Sequence, residues 1–167
     1  ANRAILSGDT MMVMAYDYIL GSPKDLLYQI FTVFNKLGKE VCEGQQYDMN
    51  FETTTNVSIE EYLNMIHLKT AVLVGGSMQV GAIISRTSEE NIQLVYDFGE
   101  NVGMAFQLQD DLLDAFGDED IFGKKKGGDI RTNKKTFLYL KALELGSEEQ
   151  RKELKSLFST LDEDNDE

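Results

Sequence analysis

Pro23 is the one proline in 167 residues, and it sits close to one end of the chain. Proline is the residue that most often interrupts a helix, because its ring removes a donor and clashes with the preceding turn. The remainder is rich in Leu, Met, Ala, Glu and Lys and has no tryptophan, so it is free to run in long helices. The reading is an all-α protein. With 42% hydrophobic residues the chain is long enough to bury a real core as one helical domain over residues 1–161, followed by an acidic tail at 162–167.

Local signals divide the helices. Arg3 to Leu20 forms an apolar helix stopped by Gly21, and Ser22-Pro23 supplies a cap and first-turn pair for the next. The second helix runs from about Lys24 to Asp48, with Leu26, Leu27, Ile30, Phe31, Phe34, Leu37 and Val41 spaced by three and four towards the core. Asn50 to Val57 is a loop. Ser58 and Glu61 then form a capping box for a helix that continues to about Ile84. A fourth helix, from near Ser88 to about Phe116, directs Ile92, Val95, Val102, Phe106 and Leu113 inward. Gly117 to Asn133 reads as an ordered glycine-containing loop. Two further helices, Lys135 to Leu145 and Glu148 to Thr160, follow, the second capped by Ser147 with Gln150. The methionines Met11, Met12 and Met14, with Tyr16 and Tyr18, read as core packing.

Several function classes fall away. The longest apolar run, Ala71 to Ile84, is broken by glycines and polar residues and falls short of the ~20 residues needed to span a bilayer, so no transmembrane segment is expected. A formal charge of −13 argues against nucleic acid, whose phosphates need Lys and Arg to replace counterions. A lone cysteine, Cys42, forms no internal disulfide, and no secretory signal pattern is present; a reducing, cytoplasmic setting is expected. An acidic protein still binds an anionic ligand when divalent cations bridge carboxylates to phosphates.

The fourth helix carries the anomaly that points there. In Phe106-Gln107-Leu108-Gln109-Asp110-Asp111-Leu112-Leu113-Asp114, three carboxylates interrupt a helix otherwise bound for the core, where unpaired charge is costly. Gln107, Asp110 or Asp111, and Asp114 fall at i, i+3/i+4 and i+7 and share one face. Like charges so crowded call for a cation. Ligands that are all oxygen suit a hard ion, Mg²⁺ before Ca²⁺, with open positions for water and phosphate oxygens. The plainer reading is a solvated acidic face. Downstream, Gly123-Lys124-Lys125-Lys126-Gly127-Gly128-Asp129 and Lys134-Lys135-Thr136 reverse the local charge, and flexible glycines let amides and ammonium groups approach a phosphate. Gly44-Gln45-Gln46-Tyr47-Asp48 and His67-Leu68-Lys69-Thr70 are weaker signals alone. Lys69 lies among apolar neighbours, where a lysine snorkels or meets an anion. His67 reads as a packing or hydrogen-bonding residue.

In this order the segments resemble the trans-isoprenyl diphosphate synthase, or polyprenyl synthetase, family. Asn2 to Asp9 is similar to the helix that follows the family's first aspartate-rich region; Gly44-Gln45-x-x-Asp48 resembles its GQxxD, Lys69-Thr70 its KT pair, and Phe106 to Asp114 its FQxxDDxxD motif. Gly123-Lys124 with Gly127 and Asp129, then Lys134 and Thr136, resemble the closing GKxxGxD and GKxT segments, with Asn133 in place of the usual glycine. No DDxxD motif or upstream basic motif precedes Asn2, and the family's last helices are not evident after residue 161. The expectation is a fragment of a parent about twice this length.

The resemblance implies an incomplete portion of an orthogonal or antiparallel helical bundle of the isoprenoid synthase type. It implies prenyl transfer, the head-to-tail condensation of isopentenyl diphosphate with an allylic isoprenyl diphosphate that releases pyrophosphate, carried out with Mg²⁺ by a homodimer. Asp110 and Asp114 would be metal ligands and Asp111 would assist. Lys69, Lys124 and Lys134 would neutralise the diphosphate, Thr70 and Gln107 would orient it, Gln45 and Asp48 would face the same cavity, and Phe106 would shield the allylic cation. The alternatives are a non-catalytic regulatory or scaffold subunit of such a synthase and a terpene cyclase, which shares the fold and the metal chemistry. A calcium-binding tail is disfavoured, because Asp162 to Asp166 lacks the central glycine and distal glutamate of an EF-hand loop.

Overall fold

A computed structural model describes residues 2–118, 123 and 127–160. Lys124 and the tail at 162–167 lie outside the described residues. The regular elements among the described residues are all helical, with no strand. In chain order the helices are α1 (Asn2–Leu20), α2 (Leu27–Thr53), α3 (Ile59–Ile66), α4 (Val72–Ile84), α5 (Glu89–Phe116), α6 (Gly128–Arg131), α7 (Phe137–Leu145) and α8 (Glu148–Thr160), and a π-helical turn, His67–Ala71, joins α3 to α4. No helix among the described residues is long and apolar enough to cross a membrane.

The caps at Ser58 and Ser147 are formed as the sequence predicts. Ser58 Oγ accepts from Glu61 N at 3.1 Å while Glu61 Oε2 accepts from Ser58 N at 2.8 Å. Ser147 and Gln150 make the same reciprocal pair at 3.3 and 2.8 Å. The start of α2 departs from expectation. Pro23 O accepts from Leu26 N at 2.9 Å, so Ser22-Pro23 opens a tight turn and the helix begins at Leu27 without a side-chain cap. It then runs on to Thr53, taking in residues expected to form a loop.

Two apolar clusters hold the bundle. Ile19, Ile30, Ile83 and Ile92 join the ends of α1, α2, α4 and α5, and Tyr62, Met65, Ile66 and Leu140 join α3 to α7. Between them the helices meet on glycine. A Cβ on Gly99 would come within 2.6 Å of Gly75 Cα, and one on Gly103 within 2.6 Å of Ala71 Cα. On the opposite side a Cβ on Gly44 of α2 would overlap the backbone nitrogen of Lys69. The π-helical turn is therefore clasped between α2 and α5 at backbone contact, a closeness that any side chain would forbid.

This seam explains where the apolar expectations fail. On α5 the face buried against α4 and the π-helical turn is Ile92, Gly99 and Gly103, so Val102 and Phe106, expected inward, are 43% and 61% exposed. Phe31 on α2 is likewise exposed. In α1 only Ile19 is buried; Met11, Met12, Met14 and Tyr18 are exposed, although the Met12 methyl reaches Gly38, and Tyr16 packs edge-on to Phe34 with centroids 5.2 Å apart.

Candidate active site

Where α2, α3, the π-helical turn and the C-terminal half of α5 converge, the segment after α6 closes a cavity of about 170 Å³. One wall carries Asp110, Asp111 and Asp114 with Gln107; facing them are Asp48, Lys69, Asp129 and Lys134.

The carboxylates of α5 divide by helical row. Asp111, one turn on from Gln107, is buried, and both its oxygens are engaged: Oδ2 accepts from the Tyr62 hydroxyl and, at 3.2 Å, from the backbone N–H of Phe137, while Oδ1 faces Gln107 Nε2 at 3.4 Å. Phe137 opens α7, so this aspartate satisfies a helix N-terminus that has no cap of its own. Burial raises the Asp111 carboxyl above its ordinary range despite the bonds from Tyr62, Phe137 and Gln107, which pull the other way. The Tyr62 phenol is raised too, first by burial and then by the adjacent carboxylate. Asp110 and Asp114, on the other row, border the cavity. Asp110 has no hydrogen-bond or ion-pair partner among the described residues, and Asp114 Oδ2 accepts from Asp129 N at 2.9 Å. Gly127, at φ 72°, turns the chain so that its N–H reaches Asp114 O at 2.7 Å, which docks α6 on the end of α5.

The cations are held ready on the opposite wall. The π-helical turn sets Lys69 Nζ 2.5 Å from Asp48 Oδ2 and Thr70 Oγ1 3.0 Å from Gln107 Oε1, so successive side chains of one widened turn reach α2 and α5. Lys134 Nζ lies 2.8 Å from Asp129 Oδ1, and that hydrogen bond holds its ammonium above the usual lysine range. On the far side of the turn His67 Nε2 meets Glu100 Oε1 at 2.8 Å, the hydrogen-bonding role read for it from the sequence.

Of the residues predicted for the site, Asp48, Lys69, Gln107, Asp110, Asp111, Asp114 and Lys134 line the cavity, and Thr70 is tied to it through Gln107. Gln45 and Phe106 are exposed and do not line it, and Lys124 is outside the described residues. Tyr62, hidden in an apolar stripe, is a contributor the sequence does not single out, while Asp129, Asn133 and Lys135 lie within the segments it marks without a site role of their own. Lys135 Nζ reaches Phe51 O at 2.5 Å and Glu52 O at 3.3 Å, neutralising the carbonyl end of α2, and burial lowers its pKa. The only signal for it was its place beside Lys134.

No group of three metal-binding side chains converges among the described residues. The donors nevertheless fit part of a hard-cation site: Asp110 and Asp114 are carboxylates four residues apart on one helical row, one of them unpartnered, with room left for waters and phosphate oxygens. Two such carboxylates stand across a small cavity from lysines held by Asp48 and Asp129, an arrangement whose chemistry suits a polyanion bridged by a cation.

Comparison with known proteins names the class. The polyprenyl synthetase family model matches residues 1–167, and the chain belongs to that family. It is 37% identical over 161 residues to a short chain isoprenyl diphosphate synthase of Methanothermobacter thermautotrophicus, covering 96% of this chain and 50% of that protein. A crystal structure of a geranylgeranyl pyrophosphate synthase superposes with a TM-score of 0.89 at 54% identity, covering 95% of this chain and 48% of the other. A geranylgeranyl pyrophosphate synthase from Corynebacterium glutamicum, complexed with isoprenyl diphosphate and magnesium, gives a TM-score of 0.78 at 30% identity, with coverage of 94% and 50%. The fold is thus the all-α fold of the isoprenyl diphosphate synthases, and the chain spans about half the length of the relatives it matches.

Proposed function

We propose that this chain supplies one half of a prenyl-transfer site, in which an allylic isoprenyl diphosphate is condensed head-to-tail with isopentenyl diphosphate and pyrophosphate is released. The observation that carries the reading is the cavity itself, with Asp110 and Asp114 facing Lys69 and Lys134. Family membership and the magnesium and isoprenyl diphosphate bound to the Corynebacterium relative support it.

Bound there, Mg²⁺ would draw charge from the departing diphosphate and make it a better leaving group. Asp110 and Asp114 would hold the ion. Lys69 and Lys134, pre-aimed by Asp48 and Asp129, would neutralise diphosphate oxygens as the allylic C–O bond breaks. Thr70 and Gln107, bonded to each other, would orient the same group. The double bond of isopentenyl diphosphate then forms the new C–C bond with the allylic carbon, and a proton is lost. Asp111 would assist from behind this pair, fixing α7 and Tyr62. The reading keeps the homodimer and the reducing, cytoplasmic setting expected from the sequence.

Calorimetry of an allylic diphosphate against this chain tests the reading. Binding is expected with Mg²⁺, and Asp110→Asn should weaken it at least tenfold, about 1.4 kcal/mol. Equal binding by both proteins would remove Asp110 from the site; no Mg²⁺-dependent binding by either would favour the scaffold alternative.

A further inference from the structure

Asn133 sits on the cavity wall beside Lys134, in the left-handed backbone region at φ 54°. The turn needs that conformation: Asn133 N donates to Ile130 O at 3.1 Å as the chain leaves α6, and Lys134 N then reaches back to Asp129 O at 2.9 Å. Glycine would meet the backbone requirement at lower steric cost, and glycine is what the family motif resembled by this segment usually carries. What asparagine adds is a side-chain amide whose Oδ1 is buried and without a hydrogen-bond partner among the described residues. A buried acceptor left unpaired is costly, so it calls for a donor that arrives with a ligand.

None of the cavity's own donors reaches that oxygen. Lys69 is paired with Asp48, Lys134 with Asp129, and Lys135 with the carbonyls of Phe51 and Glu52. A diphosphate, being an acceptor, brings no proton to an amide oxygen. A hydrated divalent cation does, because Mg²⁺ gives up its waters reluctantly and those waters are strong donors. Asp129 places this segment beside the metal-binding row, its N–H bonded to Asp114 Oδ2.

Resting on the function proposed above, we infer that Asn133 is a positioning residue for the cation: its Oδ1 accepts a hydrogen bond from a cation-bound water and so strengthens the hold of Asp110 and Asp114. Its left-handed backbone and its amide thus serve two separate purposes, of which glycine would fulfil only the first.

Asn133→Gly separates them, since it keeps the turn and removes the side-chain amide, acceptor included. Inorganic pyrophosphate is the probe, with the Mg²⁺ concentration for half-saturation read by calorimetry. The expected result is a midpoint about tenfold higher in the variant, the usual loss when a group orienting a metal's ligands is removed, with the urea unfolding midpoint unchanged or raised. Asn133→Asp, which keeps an acceptor at the same point, should retain the wild-type midpoint or lower it. A wild-type Mg²⁺ midpoint in Asn133→Gly, or an equal loss in Asn133→Asp, would overturn the inference while leaving the cavity's function intact. No Mg²⁺-dependent pyrophosphate binding by the wild-type chain would overturn both.

Discussion

Asp110, Asp111 and Asp114 show how far residue spacing carries an argument. Their positions place acid on one helical face, and all three border the cavity. Spacing could not say that Asp111 would be drawn away, because that depends on Tyr62 from α3 and the first N–H of α7, brought from 49 and 26 residues distant. The Tyr62–Asp111 bond makes a testable contribution. Tyr62→Phe leaves the buried carboxylate one donor short and should cost about 1–2 kcal/mol near neutrality. It should also change the alkaline limb of the stability profile. The folded phenol is raised above its unfolded value of about 10, so its stabilisation is present in full below that pH and is lost as pH rises above it. Urea midpoints measured from about pH 8 to 11 should therefore fall less steeply in Tyr62→Phe, and identical slopes would show that the phenol is not shifted.

At the scale of elements, the helix caps and the long apolar helices were legible because each signal is local. Ser58 and Glu61 need only each other, and Gly21 ends α1 through bonds to Asp17 O and Tyr18 O. The π-helical turn was not legible: nothing in His67-Leu68-Lys69-Thr70-Ala71 marks an added residue in the turn, and the motif was placed inside an unbroken helix. The widened turn fits where Gly44 and Gly103 let α2 and α5 press on it from both sides. Gly44→Ala puts a methyl into the backbone of Lys69. The expected cost is about 1–3 kcal/mol of overpacking, seen as a lower urea midpoint, together with a weakened Lys69–Asp48 pair as the turn is pushed off. Wild-type stability in Gly44→Ala would mean that the helices stand further apart than backbone contact.

Across the whole molecule, apolar surface remains outside. Leu94, Phe98, Val102 and Phe106 form an exposed row along α5, and α1 presents Ile5, Leu6, Met11 and Val13 to solvent. Large apolar residues gathered on open faces mark surfaces made for contact, in keeping with a chain that spans about half the length of its relatives. Protection should follow burial. With one buried residue near its end, α1 is expected to exchange its amide hydrogens well before the α4–α5 seam, as read by hydrogen-exchange mass spectrometry. Equal protection in the two regions would show that α1 is held by contacts its burial does not reveal.

By itself the sequence determined the helical class, most helix boundaries, the acidic face of α5 and the basic segments opposed to it, since each follows from covalent spacing over a few residues. The tertiary structure decided that Asp111 is bonded to Tyr62 and Phe137 while Asp110 is left open, where the π-helical turn forms, that glycine and not large apolar residues makes the central seam, and that Gln45 and Phe106 stand apart from the cavity. Those outcomes rest on which helix faces meet. That is settled by close packing between residues far apart in the chain, and spacing along one helix cannot record it.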